Sequence, residues 1–140
     1  MLLRLLLGYG SMLMVHFLRT DGREVHKAGP FPWVRAVDGS LQAGPDGEEV
    51  TRYLGGVWTV AGHDVPTCIV HGSTCTARFE GHSPDDSTTH GPFGKVEFVD
   101  GSVYAQPGRR LLARLDEQDH TWYSHEDKRS WPKLVVEKCS

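Results

Sequence analysis

Apolar and polar positions alternate along this chain in short runs that reverse at turn signals. Val96 and Phe98 alternate with Lys95 and Glu97, and Asp100-Gly101 then supplies the two positive-φ positions of a type I′ turn before residues 102–105 return. In that register Phe98 faces Val103 and Val96 faces Ala105, so one face of the predicted hairpin is wholly apolar. An earlier hairpin repeats the pattern, with Val34 facing Ala43 and Ala36 facing Leu41 across Asp38-Gly39. Further strands are predicted over residues 50–54, 57–60 and 67–70, and over 111–115, 120–123 and 134–136. No sustained 3.6-residue period competes with them.

The two hairpins belong to a longer correspondence. Gly29-Pro30-Phe31 recurs as Gly91-Pro92-Phe93 and Val37-Asp38-Gly39-Ser40 as Val99-Asp100-Gly101-Ser102, both at an offset of 62 (91 minus 29). The same offset pairs Phe17 with Phe79, Arg52 with Arg114 and His63 with His125. After His125-Glu126 the second stretch gains four residues, and Trp131-Pro132-Lys133-Leu134-Val135-Val136 matches Val65-Pro66-Thr67-Cys68-Ile69-Val70. The pattern predicts an internal duplication, with β repeats over 15–75 and 76–140 behind an apolar segment, residues 1–14. Each repeat holds about five strands and is too small to bury much core alone. The expected fold is therefore all-β, about ten strands related by a pseudo-twofold in one barrel or closed sandwich with a shared core.

The GPF…V…VDGS…A…PG layout, closed by Trp131-Pro132-Lys133-Leu134-Val135-Val136, resembles small uncharacterised bacterial proteins, some of them from mobile, integron-type gene cassettes. That resemblance implies a compact β protein without an assigned activity, and it carries over no catalytic or binding residue.

Charge narrows the partner classes. A formal net charge of −3 with Lys and Arg dispersed argues against a phosphate-backbone partner. Arg4 and the Gly8-Tyr9-Gly10-Ser11 cluster break the one apolar run that approaches a membrane span, so no membrane partner is expected. Three cysteines without regular spacing point to a reducing compartment, the cytoplasm. The leucines of residues 2–7 are too apolar to lie in water, which predicts self-association as a homodimer. Met12 and Met14 leave more than one candidate start of translation.

Candidate chemistry is sparse. His63-Asp64 and His125-Glu126 put an imidazole beside a carboxylate twice, and a pseudo-twofold could gather all four around a divalent metal; as plain loop residues they would only make turns. Cys68-x2-His71-x3-Cys75, with His82 or Cys139 as a fourth ligand, has zinc-like residue types, but a Gly72-Ser73 hairpin turn would place His71 opposite the cysteines, which then read as buried hydrophobes. The polar run over residues 82–90 reads as a solvated loop. Neither a G-x-S-x-G nor a phosphate-cradling Gly loop is present.

The aromatics remain. Trp33 alternates away from Val34 and Ala36 onto the side of Arg35 and Gln42, and Trp33, Arg35, Trp58, Trp122 and Trp131 are the candidate ligand- or partner-binding residues. These features predict a barrel-like binding or adaptor protein for a small molecule or protein partner, with no cofactor expected. The alternative is a metal-dependent hydrolase or isomerase using His63, Asp64, His125 and Glu126.

Overall fold

The computed structural model describes residues 12–54, 57–60 and 62–138. The expectations for the leucines of residues 2–7 and for Cys139 lie outside these residues.

The described chain is all-β. Its strands are β1 (Leu13–Leu18), β2 (Glu24–Phe31), β3 (Trp33–Val37), β4 (Ser40–Ala43), β5 (Glu48–Leu54), β6 (Val57–Val60), β7 (His63–Val65) and β8 (Thr67–Glu80). They continue as β9 (Ser87–Val99), β10 (Ser102–Gln106), β11 (Arg110–Asp116), β12 (Thr121–Ser124), β13 (Arg129–Trp131) and β14 (Lys133–Lys138). All join one antiparallel sheet in the order β13-β12-β11-β10-β9-β8-β14-β3-β4-β5-β6-β7, with β1 paired to β8 and β2 to β1.

The two predicted hairpins form in the predicted register. Phe98 faces Val103 and Val96 faces Ala105, while Val34 faces Ala43 and Ala36 faces Leu41. Asp38, Gly39, Asp100 and Gly101 all take positive φ, which the type I′ turn requires and which Asp tolerates and Gly adopts freely.

The expectation of a closed barrel or sandwich is corrected. β7 and β13 stand at opposite ends of the strand order and do not pair, so the sheet stays open. Its two arms curl over the middle instead, and aromatic rings fill the interior that closure would have sealed. Phe98 on β9 takes Trp58 of one arm and Trp122 of the other edge-on, at ring separations of 6.1 and 5.8 Å. Trp122 Nε1 donates to the Ala36 carbonyl on β3 at 3.3 Å, and Trp131 on β13 lies against Phe79 on β8. Burying such rings contributes roughly 2–3 kcal/mol each, which favours curling over leaving a flat apolar face in water.

Among the described residues the strands number fourteen rather than about ten: β1 alternates in burial, but apolar Met14 and Leu18 on its outer side hide that alternation in the sequence, and the other strands missed lack it. β2 is exposed at most positions, and β7 and β13 have three residues each. The run over residues 82–90 is a turn only to Asp86, since Ser87 already begins β9.

Gly72-Ser73 is not a hairpin turn. β8 runs through it, and the ladder to β9 absorbs extra residues between His71 and Cys75. That irregularity reverses the inward parity: Cys68 and Val70 face the core before it, Cys75, Ala77 and Phe79 after it. β8 also changes partner there, pairing with β1 through His71 and with β14 from Cys75 onward.

Candidate functional site

Alternation along β3, β8 and β14 sends every second side chain to the outer face of the sheet. Val135 pairs with Arg35 on one side and Arg78 on the other, so two arginines flank and cover one buried valine. Trp33, Arg35, Arg78, Glu80, Val135 and Glu137 line a shallow cleft of about 120 Å³.

The two arginines differ in their partners. Arg78 is tied to Glu137, with Nε to Oε1 at 2.7 Å, and to Glu80. Partial burial works against its charge, but the bonds to Glu137 and Glu80 outweigh that and hold its pKa above the ordinary value. Arg35 donates from Nε and Nη2 to Gln42 Oε1 at 3.2 and 2.5 Å, and its guanidinium lies 5.1 Å from the Trp33 ring centre. Among the described residues it has no carboxylate partner. A cation braced on an indole and a neutral amide keeps its attraction for an anion.

Of the predicted binding residues, the structure brings Trp33 and Arg35 into this cleft and buries the other three. Trp58, Trp122 and Trp131 are 2, 3 and 4% exposed, so they belong to the core rather than to a binding face. Their positions alternate correctly, but the curl of the arms turns that face inward.

The predicted His/carboxylate cluster is not assembled. His63 and Asp64 are exposed on β7, while His125 packs edge-on against Tyr123 and Glu126 pairs with Arg110 and with His90 Nδ1 at 3.4 Å. Among the described residues no group of three or more His, Cys, Asp or Glu is arranged to hold a metal ion. The metal expectation for His63, Asp64, His125 and Glu126 rested on a pseudo-twofold that would bring the two pairs together, and the described residues do not gather them.

Cys68 and Cys75 are buried, with His71 on the opposite face, so this trio is not a ligand set. Burial pushes the Cys68 thiol well above its ordinary pKa, which leaves it inert. His82, the proposed fourth ligand, is exposed in the turn before β9.

One polar cluster went unread in the sequence. Ser124 Oγ donates to Asp127 Oδ2 at 2.8 Å, and His90 Nε2 meets the same oxygen at 3.2 Å. The carboxylate stands between hydroxyl and imidazole, so His90 is not placed to take the Ser124 proton, and the order is wrong for an activated nucleophile. A wider groove of about 390 Å³ lies between β2 and the β4–β5 turn. Its Glu49 is already bonded to Ser40 and Arg52, which hold it below the usual carboxylate range.

Compared with known proteins, the chain matches no family model, no curated protein and no solved structure.

Proposed function

We propose that the protein is a non-enzymatic binding module that recognises a partner protein through the cleft of Trp33, Arg35 and Val135. The observation that carries this is the Arg35 guanidinium, braced by Trp33 and Gln42 at the rim of an apolar floor. At this cleft, size favours a protein partner over a small molecule. Small-molecule sites enclose roughly 300–1,000 Å³, whereas about 120 Å³ accepts a single side chain. The cleft therefore seats one anchor of a partner, an aromatic or aliphatic group beside a carboxylate.

The rest of the reading follows the same proposal. Three cysteines without regular spacing favour a reducing compartment, the cytoplasm. The chain is read as two tandem copies, residues 15–75 and 76–140. Shared strand registers support this: the bulge between Leu41 and Gln42 in the β4–β5 ladder has its counterpart between Val103 and Tyr104 in β10–β11, at the offset of 62 (103 minus 41). Self-association as a homodimer through the apolar leucines of residues 2–7 remains part of the proposal.

Peptide display against the full chain tests it, with each selected peptide re-measured on Trp33→Ala and Arg35→Gln. Peptides carrying an acidic residue next to an aromatic or aliphatic one, weakened at least tenfold by either substitution, are the expected result. Selected peptides that bind both variants as well as the parent would overturn the assignment of this cleft.

A further inference from the structure

Further along the outer face, β1 and β8 present a second cross-strand pair. His16 on β1 faces Ile69 and His71 on β8 faces Met14, so the two histidines are diagonal neighbours across a hydrogen-bonded ladder. Their Nε2 atoms lie 2.7 Å apart, and their rings are nearly parallel, at 14°.

We propose that His16 and His71 form a bis-imidazole site for a late divalent transition metal, Cu2+ foremost, with Zn2+ and Ni2+ bound more weakly. At 2.7 Å the two ring nitrogens can share the proton of one neutral ring, and they also stand close to the spacing of adjacent ligands on one metal ion at metal–nitrogen distances of roughly 2.0–2.1 Å. The surroundings favour the metal. Glu24 on β2 bonds His16 Nδ1, which places the ring proton there and leaves the Nε2 lone pair directed at His71. A carboxylate behind a ligating histidine is the outer-shell arrangement that fixes tautomer and ring orientation in metal sites.

The cation beside the pair has a carboxylate partner of its own. Lys95 on β9 lies directly across from His71 and is itself 3.4 Å from Glu97. Met14, across from His71, has its sulfur turned toward Gly29, which leaves the two nitrogens as the ligands.

Ligand type selects the metal class. Imidazole suits copper, zinc and nickel, whereas calcium and magnesium need oxygen cages, and the general affinity order places Cu2+ highest. His16 is 22% exposed, so the remaining coordination positions stay open to water. This site stands apart from the cleft and does not depend on it.

The test uses the full chain without an affinity tag, stripped with chelator and titrated with copper chloride and then zinc chloride. Expected are one tight copper per chain by calorimetry and a copper electron-resonance spectrum with coupling to two imidazole nitrogens. His71→Ala loses at least tenfold in affinity and one nitrogen coupling. Glu24→Gln, which touches no ligand atom, keeps both couplings and weakens binding about 10- to 100-fold. His63→Ala and His125→Ala leave the titration unchanged. Copper bound equally well by His16→Ala and His71→Ala, or a spectrum without imidazole coupling in the parent chain, would overturn the site and leave the pair sharing a proton.

Discussion

Arg78 donates through Nε to Glu137 at 2.7 Å, at the register position where another strand pair holds His16 against His71. β1 runs along β8 with Met14 opposite His71 and His16 opposite Ile69; β8 runs along β14 with Thr76 opposite Glu137 and Arg78 opposite Val135. One diagonal geometry thus carries an ion pair in the outer cleft and an imidazole pair elsewhere on the face. The backbone sets which tips meet, and the residue types set the chemistry.

Glu137→Gln tests the ion pair. The two side chains are 29 and 38% exposed and Arg78 keeps Glu80, so the expected loss is small, about 0.2–1 kcal/mol, and it shrinks as salt is added. Urea denaturation at low and high ionic strength reads both. A larger, salt-independent loss would mean that Glu137 supports packing rather than charge.

Alkaline stability tests Tyr53. Burial, then the nearby Glu117 carboxylate, pushes its hydroxyl from the ordinary 10 up to about 12. A group with a raised folded-state pKa contributes stability that is complete below pH 10 and is lost as pH rises toward 12. The free energy of unfolding should fall over that window, and Tyr53→Phe should flatten part of the fall. An unchanged slope in the variant would assign the alkaline loss to other groups, Cys68 among them.

The elements legible in the sequence were those in which local pattern and tertiary burial agree. Val96, Phe98, Val103 and Ala105 alternate, point inward and flank a turn that only a few residue types can make. β2 and the first half of β9 were not legible, because their side chains are largely exposed and strand formation there depends on pairing with β1 and β8. Gly72 read as a turn because glycine permits one; a Cβ there would come 2.7 Å from the Met12 carbonyl, so the position marks close backbone approach instead. Trp33 and Arg35 were correctly placed on one outer face by alternation alone. Arg78, Val135 and Glu137 joined them only through the β3–β14–β8 pairing, which links residues far apart in sequence. His16 and His71 were hidden for the same reason.

Gly29 gives a sharper backbone test. Its φ of +127° and a Cβ position 2.8 Å from the Leu13 carbonyl make Gly29→Ala both strained and crowded against main chain. Gly22, at φ +85°, has open space at its Cβ position. The expected loss is about 1–2 kcal/mol for Gly22→Ala, and clearly more for Gly29→Ala, read as thermal midpoints. Equal shifts would show that β1 and β2 separate readily enough to admit a methyl group.

Trp122 and Trp58 occupy similar places in the two arms, and both are almost wholly buried. They differ in one bond. Trp122 Nε1 reaches the Ala36 carbonyl across the interior, whereas Trp58 Nε1 is buried with no hydrogen-bond partner among the described residues. Replacement by Phe removes ring area in both cases, but only Trp122→Phe also removes the link between its arm and β3. Trp122→Phe is therefore expected to cost about 0.5–1.5 kcal/mol more than Trp58→Phe, with a matching difference in urea midpoint. Equal losses would mean that the arms are held by ring packing on Phe98 alone and that the indole hydrogen bond contributes nothing to keeping the open sheet curled.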